Sequence, residues 1–193
     1  MANASTTGFG FRPIKKIAQN YNNAALSEYS VAASSALISH ACLVQLTADG
    51  VVLASGNTTQ NNLGTLNGVF YTDATSNKPT FSNFSPASNT ATDIVAFIND
   101  DPMQMYEIMS ADTAFNQNEV GHCADQVLEA GSSPLFISKS KISATTATTQ
   151  AQLFIMGVSR DPDHSDTSAE GFALRVQIRE HILVGNDTQR AGV

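Results

Sequence analysis

A chain of 193 residues with a formal net charge of −7 and 14% charged residues is long enough to bury its own core without a metal or disulfide, because a domain of this size hides roughly 70% of its unfolded surface. The acidic balance argues against a protein that grips a nucleic-acid backbone, which calls for clustered Lys and Arg; here the basic residues are scattered apart from Arg12, Lys15 and Lys16. No run approaches the roughly 20 apolar residues that span a bilayer, and the opening Met1-Ala-Asn-Ala-Ser-Thr-Thr-Gly8 has neither the basic nor the apolar region of a signal peptide, so no membrane partner is expected.

Residues 1–28 do not read as packed core. Phe9 and Phe11 alternate with Gly8 and Gly10, and Pro13 blocks an easy helix continuation. Ala18–Ala25 follow as a polar loop. An extended arm that carries exposed Phe, Ile and Lys has a purpose if it lies along another protein. The competing reading is a frayed terminus or an edge strand of its own domain.

The domain proper, 29–193, opens with a strand at Glu28–Val31. Cys42-Leu-Val-Gln-Leu46 and Val51-Val-Leu-Ala54 flank Asp49-Gly50, a hairpin signal in which Gly takes a positive φ at little cost. Gly56–Asn62 reads as a loop, Gly68–Thr72 as a short strand, and Asp73–Thr92 as a long polar surface stretch open to partner contacts. Asp93–Ile98 and Met103–Met109 are two strands separated by the turn Asn99-Asp-Asp-Pro102. Val120, Cys123, Val127 and Leu128 fall at helical spacing, which predicts a short helix capped by Asn118 and closing near Gly131. Leu135–Ile142 reads as a strand and Ser143–Thr149 as a low-complexity linker. Leu153–Val158 and Phe172–Leu183 make the strongest pair. Phe172, Leu174, Val176 and Ile178 alternate with Ala173, Arg175, Gln177 and Arg179, a period of two that puts the large apolar side chains on one face. The sum is an all-β domain, a small β-barrel or sandwich of about nine short strands with one short helix and an extended N-terminal arm.

Candidate chemistry is sparse. His40-Ala-Cys42 and His122-Cys123 lack the paired ligand spacing of a zinc site. Cys42 and Cys123 read as buried free thiols rather than an obligatory disulfide. Asp161-Pro-Asp-His-Ser-Asp166 has Asp166 and Phe172 where a calcium loop needs Gly and Glu, so it reads as a turn with solvated carboxylates. No nucleophile elbow, phosphate loop, dinucleotide fingerprint or His-Glu-x-x-His motif occurs. The expectation is a protein without catalytic residues, metal or cofactor.

Thr7-Gly-Phe-Gly-Phe-Arg-Pro-Ile-Lys-Lys-Ile17, Leu26-Ser-Glu-Tyr29, Asn99-Asp-Asp-Pro-Met-Gln-Met-Tyr-Glu107 and Arg175-Val-Gln-Ile-Arg-Glu-His181 together resemble a family of small virion proteins of tailed bacteriophages, the head decoration (cement) proteins. The resemblance runs along most of the chain, through compositional rather than catalytic motifs. It implies a β-rich structural protein on the outer surface of the capsid, bound to the major capsid protein, as a homotrimer at local three-fold positions. Asp73–Thr92 is longer than the family leads one to expect. In that setting the arm would lay Phe9, Phe11 and Pro13 against the capsid, with Arg12, Lys15 and Lys16 meeting acidic capsid residues. The alternative is a head fibre base or a module that binds host-surface glycans through its long loops.

Overall fold

The computed structural model describes residues 3–17, 26–33, 35–55, 62–144, 146 and 151–184. The expected loop at Ala18–Ala25, residues 56–61 of the expected loop Gly56–Asn62, and most of the expected linker at 143–149 lie outside the described residues.

The architecture is an all-β sandwich. The strands, in chain order, are β1 (Arg12–Lys16), β2 (Ser27–Ser30), β3 (Leu43–Thr47), β4 (Gly50–Leu53), β5 (Asn62–Thr72), β6 (Pro79–Ser82), β7 (Val95–Asn99), β8 (Gln104–Met109), β9 (Cys123–Ala124), β10 (Gln126–Val127), β11 (Lys141–Ile142), β12 (Leu153–Val158) and β13 (Ala173–Ile178). One sheet runs β1-β8-β13-β12-β9, and the other runs β2-β7-β5-β3-β4 with β6 added alongside β5. The chain crosses from the second sheet to the first in the turn between β7 and β8. There the Tyr106 hydroxyl donates to the Asn99 carbonyl at 3.2 Å.

The period-two stretch near the C-terminus sits at the middle of the first sheet, between β8 and β12. Val176 opposes Ile155 on one side and Tyr106 on the other. Phe172, Leu174, Val176 and Ile178 all enter one core with Phe11, Tyr106, Ile108, Leu153 and Ile155. Each such side chain contributes about 1.5–3 kcal/mol by leaving water. β13 ends at Ile178, short of the expected Leu183, because the Arg179 and Glu180 N–H groups both turn to the Gln152 carbonyl.

The hairpin at Cys42–Ala54 forms as its sequence predicts, with Thr47 opposite Gly50 across Ala48-Asp49. Gly50 stands at φ +123°, and a Cβ there would meet the Ser30 carbonyl oxygen at 2.7 Å. The second sheet curls so that its outer strands meet: Val31, just past β2, makes a parallel bridge to Val51 of β4. A second core fills this curl, with Val44, Val51, Leu63, Leu66, Val69, Ala96 and Ile98. β3 therefore serves both cores, sending Leu43 to the first and Val44 to the second. The same double cover explains β5, in which Asn62–Leu66 are all buried whereas Asn67 and Phe70 are exposed.

Two expected elements differ. In place of a helix from Asn118, a single 3-10 turn at Gln117–Glu119 is followed by β9 and β10. Gly121 takes φ +91°, which ends helical winding, and its N–H joins the Ile155 carbonyl at 2.9 Å. The edge of β12 thus captures backbone that the apolar spacing assigned to a helix. The expected strand Leu135–Ile142 shrinks to β11, because Ser133–Leu135 form a turn and Phe136 adopts φ +46°.

Candidate interaction surface

The N-terminal residues do not project as an arm. β1 is hydrogen-bonded along β8, with Arg12 opposite Glu107 and Lys16 opposite Gln104, and Ser27–Ser30 belong to the second sheet. The division into an arm at 1–28 and a domain at 29–193 is therefore corrected for residues 3–17 and 26–28. The physical reason is burial: Phe11 is 0% exposed, its ring edge-on to Tyr106 at 6.0 Å, and an aromatic of this size gains more in its own core than in any groove it would have to find.

The six residues expected to grip a partner are spent mostly at home. Arg12 bridges Glu107 at 3.1 Å and Asp161 at 3.4 Å, and its guanidinium lies 4.3 Å from the centroid of the Phe9 ring. Lys16 Nζ lies 2.5 Å from Asp101 Oδ2. Burial of Asp101 opposes ionisation, but the Lys16 hydrogen bond and the Met103 N–H prevail and hold its carboxyl below the usual range. Pro13 and Lys15 occupy β1 opposite Tyr106 and Met105. Of the six, only Phe11 is fully buried and Arg12 is the most exposed; half-buried Phe9 lines a shallow groove of about 280 Å³ with Thr7, Pro134, Leu135 and Ile137.

That groove borders a surface formed by three separate segments. On the outer face of β5, β6 and β7, Phe70 and Phe81 oppose one another, and Phe81 contacts Phe97 with ring centroids 6.0 Å apart. The Phe81 ring lies across Gly68, 2.9 Å from where a Cβ would stand. Asn67 comes next, its carbonyl oxygen 2.9 Å from His40 Nδ1. His40 in turn bridges to Ile137, and Leu135 is held by a 2.6 Å hydrogen bond from the Asn83 side chain to its carbonyl. Phe81 is 64% exposed, Leu135 62%, and Phe70 and Ile137 41% each. Exposed apolar side chains grouped in this way, two on each side of Asn67 and His40, mark a contact site better than scattered exposed residues do.

The strip rests on a stiff base. Phe136, at positive φ, stacks on Phe84 at 4.2 Å. The Glu129 carbonyl accepts from the Lys139 N–H at 2.9 Å, and the Gly131 N–H donates to Ser39 Oγ at 2.9 Å. Strained backbone persists only where its surroundings over-determine it, and the Phe84 contact and these hydrogen bonds hold Phe136 between Leu135 and Ile137. Sequence reading missed these residues, although Phe81 and Phe84 in an otherwise polar stretch were a signal.

A partly buried polar cluster forms around the turn after β7. Asp100 accepts from the Tyr29 hydroxyl at 2.7 Å and Ser27 Oγ at 2.9 Å, and burial followed by Asp100 raises the Tyr29 pKa to about 12. His181 is pushed down to about 4 by burial, with Asp100 and Asp101 opposing the shift. Among the described residues no group of three or more His, Cys, Asp or Glu side chains is placed to hold a metal ion. Cys42 and Cys123 are buried free thiols. Among the described residues no helix is long and apolar enough to cross a membrane. No family model, curated protein or solved structure matches this chain.

Proposed function

We propose that the protein is a structural component of a tailed-bacteriophage head, bound to the outer surface of the capsid and bridging major capsid protein subunits, and that it docks through the Phe70–Phe81–Leu135–Ile137 strip rather than through a free arm. The observation that carries this reading is the exposure of that strip on a rigid sandwich. The resemblance of the chain to decoration proteins supplies the setting, including a homotrimer on the shell. A brace needs stiffness and apolar contact more than reactive groups, and repetition on a lattice multiplies weak contacts through effective concentration. The net charge of −7 suits an outer face better than a wall lined by packed DNA.

The test is to add purified protein to capsids that lack it and to count copies in intact virions by quantitative mass spectrometry. Stoichiometric binding that fails for Phe81→Asp and Leu135→Asp, with both variants folded, supports the reading. Binding of both variants at wild-type levels overturns the docking surface. A handful of copies per virion, with attachment to host envelopes instead, favours a head fibre or glycan-binding module.

A further inference from the structure

Asn67 and Gly68 are the chain's single Asn-Gly pair, and the fold treats them unusually. Leu66 opposes Ile98 and Gly68 opposes Phe97, which leaves Asn67 as the extra residue of a β-bulge. A bulged residue is released from the ladder and bends its strand. Asn67 is also exposed, in the middle of the strip. Its carbonyl oxygen lies 2.9 Å from His40 Nδ1. A carbonyl oxygen can only accept, so Nδ1 carries the proton and donates it. That bond draws electron density from the Asn67–Gly68 peptide group and makes the Gly68 N–H more acidic. Gly68 has no Cβ to obstruct the approach of the Asn67 side chain to its nitrogen.

We propose that Asn67–Gly68 is a self-modification site at which the Gly68 nitrogen displaces ammonia from the Asn67 side chain, with His40 polarising the carbonyl they share. Gly68 is buried under the exposed Phe81 ring, so its N–H gives its proton to a solvent base that enters as that ring swings aside, and the nitrogen forms a bond to Asn67 Cγ. The bond from Cγ to the amide nitrogen breaks, and that nitrogen takes up a proton and leaves as ammonia. Water then opens the resulting succinimide at either ring carbonyl, giving aspartate or isoaspartate. One water is consumed, one ammonia is released, and nothing is oxidised or reduced. The product places a carboxylate between Phe81 and Ile137. Its effect on docking rests on the reading above; the chemistry does not, and is measured on the isolated chain.

The experiment incubates the purified full chain in warm, mildly alkaline buffer and follows each Asn-containing peptide by mass spectrometry and isoaspartate-specific methylation. Asn67 is expected to convert faster than any other Asn, and His40→Ala to slow it several-fold while circular dichroism stays unchanged. His40→Gln, which retains an N–H donor, is expected to fall between. An Asn67 that stays intact while other Asn residues convert overturns the site, and this outcome needs no variant. Equal rates in the wild type and both folded variants overturn the part given to His40.

Discussion

Asn3 and Asp166 hold each other by a reciprocal pair of hydrogen bonds: Asn3 Nδ2 donates to the Asp166 carbonyl at 2.9 Å, and the Asp166 N–H donates to Asn3 Oδ1 at 3.0 Å. The same amide also donates to the carbonyls of Ala169 at 3.1 Å and Glu170 at 3.0 Å, so one side chain closes the turn between β12 and β13. Asn3→Ala opens this latch and leaves carbonyls of the turn short of a donor. The expected cost is about 1–2 kcal/mol, read as a lowered melting temperature.

Removal of residues 1–17 has a much larger consequence. It strips β1 from β8 and empties the site of Phe11, whose loss alone costs about 3–5 kcal/mol. It also leaves Glu107, 7% exposed at its side chain, without Arg12. The truncated chain is expected to be insoluble or unfolded by circular dichroism. A truncated chain that is folded, soluble and still bound to capsids would show that the first sheet does not depend on this segment.

The β12–β13 pair and the β3–β4 hairpin were legible in the sequence because their signals are local: a period of two in one case, a turn residue between β-prone runs in the other. β1 was not. Gly8-Phe-Gly-Phe11 has the same pattern whether it lies on a neighbour or on its own domain, and the deciding partner, Glu107, is far away in the chain. The stretch Val120–Leu128 misled for a related reason. Its apolar spacing fits a helix, yet Val127 and Leu128 are exposed, and only the edge of β12 determines what that backbone does. The strip was illegible as a unit because β5, β6 and the turn before β11 each supply only a fragment of it.

Replacing Phe81 with Ser tests whether the strip is a surface rather than core. Its ring is mostly in water and packs on Phe97 and Phe70, so the expected loss is at most about 1 kcal/mol. Binding of a hydrophobic dye should fall. A loss of several kcal/mol in chemical denaturation would mean that Phe81 is structural.

Gly64→Ala is expected to be among the most damaging single changes in β5. A Cβ there would stand 2.0 Å from the Asn99 carbonyl oxygen, the atom that accepts from Tyr106. Backbone on both strands would have to move, at a cost of about 1–3 kcal/mol or more. Gly121→Ala provides the contrast in packing, since nothing lies within 4 Å of its Cβ position. There the penalty comes from φ +91° alone, about 1–2 kcal/mol. Paired urea titrations of the two variants separate crowding from backbone strain.

His181 makes the fold sensitive to acid. Its pKa falls from the ordinary 6.5 to about 4 because burial disfavours the charged ring, and its Nδ1 accepts from the Leu183 N–H at 3.2 Å. Between these two values the unfolded chain binds a proton that the folded chain does not, so stability rises with pH across this window. The contribution is complete above the unfolded value and is lost as pH falls toward about 4, amounting to about 3 kcal/mol. Asp101, held below its usual range beside Lys16, loses its own contribution at still lower pH. His181→Gln removes the titrating ring and should flatten the stability curve between pH 6.5 and 4 while leaving the fall below it. Urea midpoints measured across that range provide the check, and an unchanged slope in the variant would assign the acid sensitivity to another group.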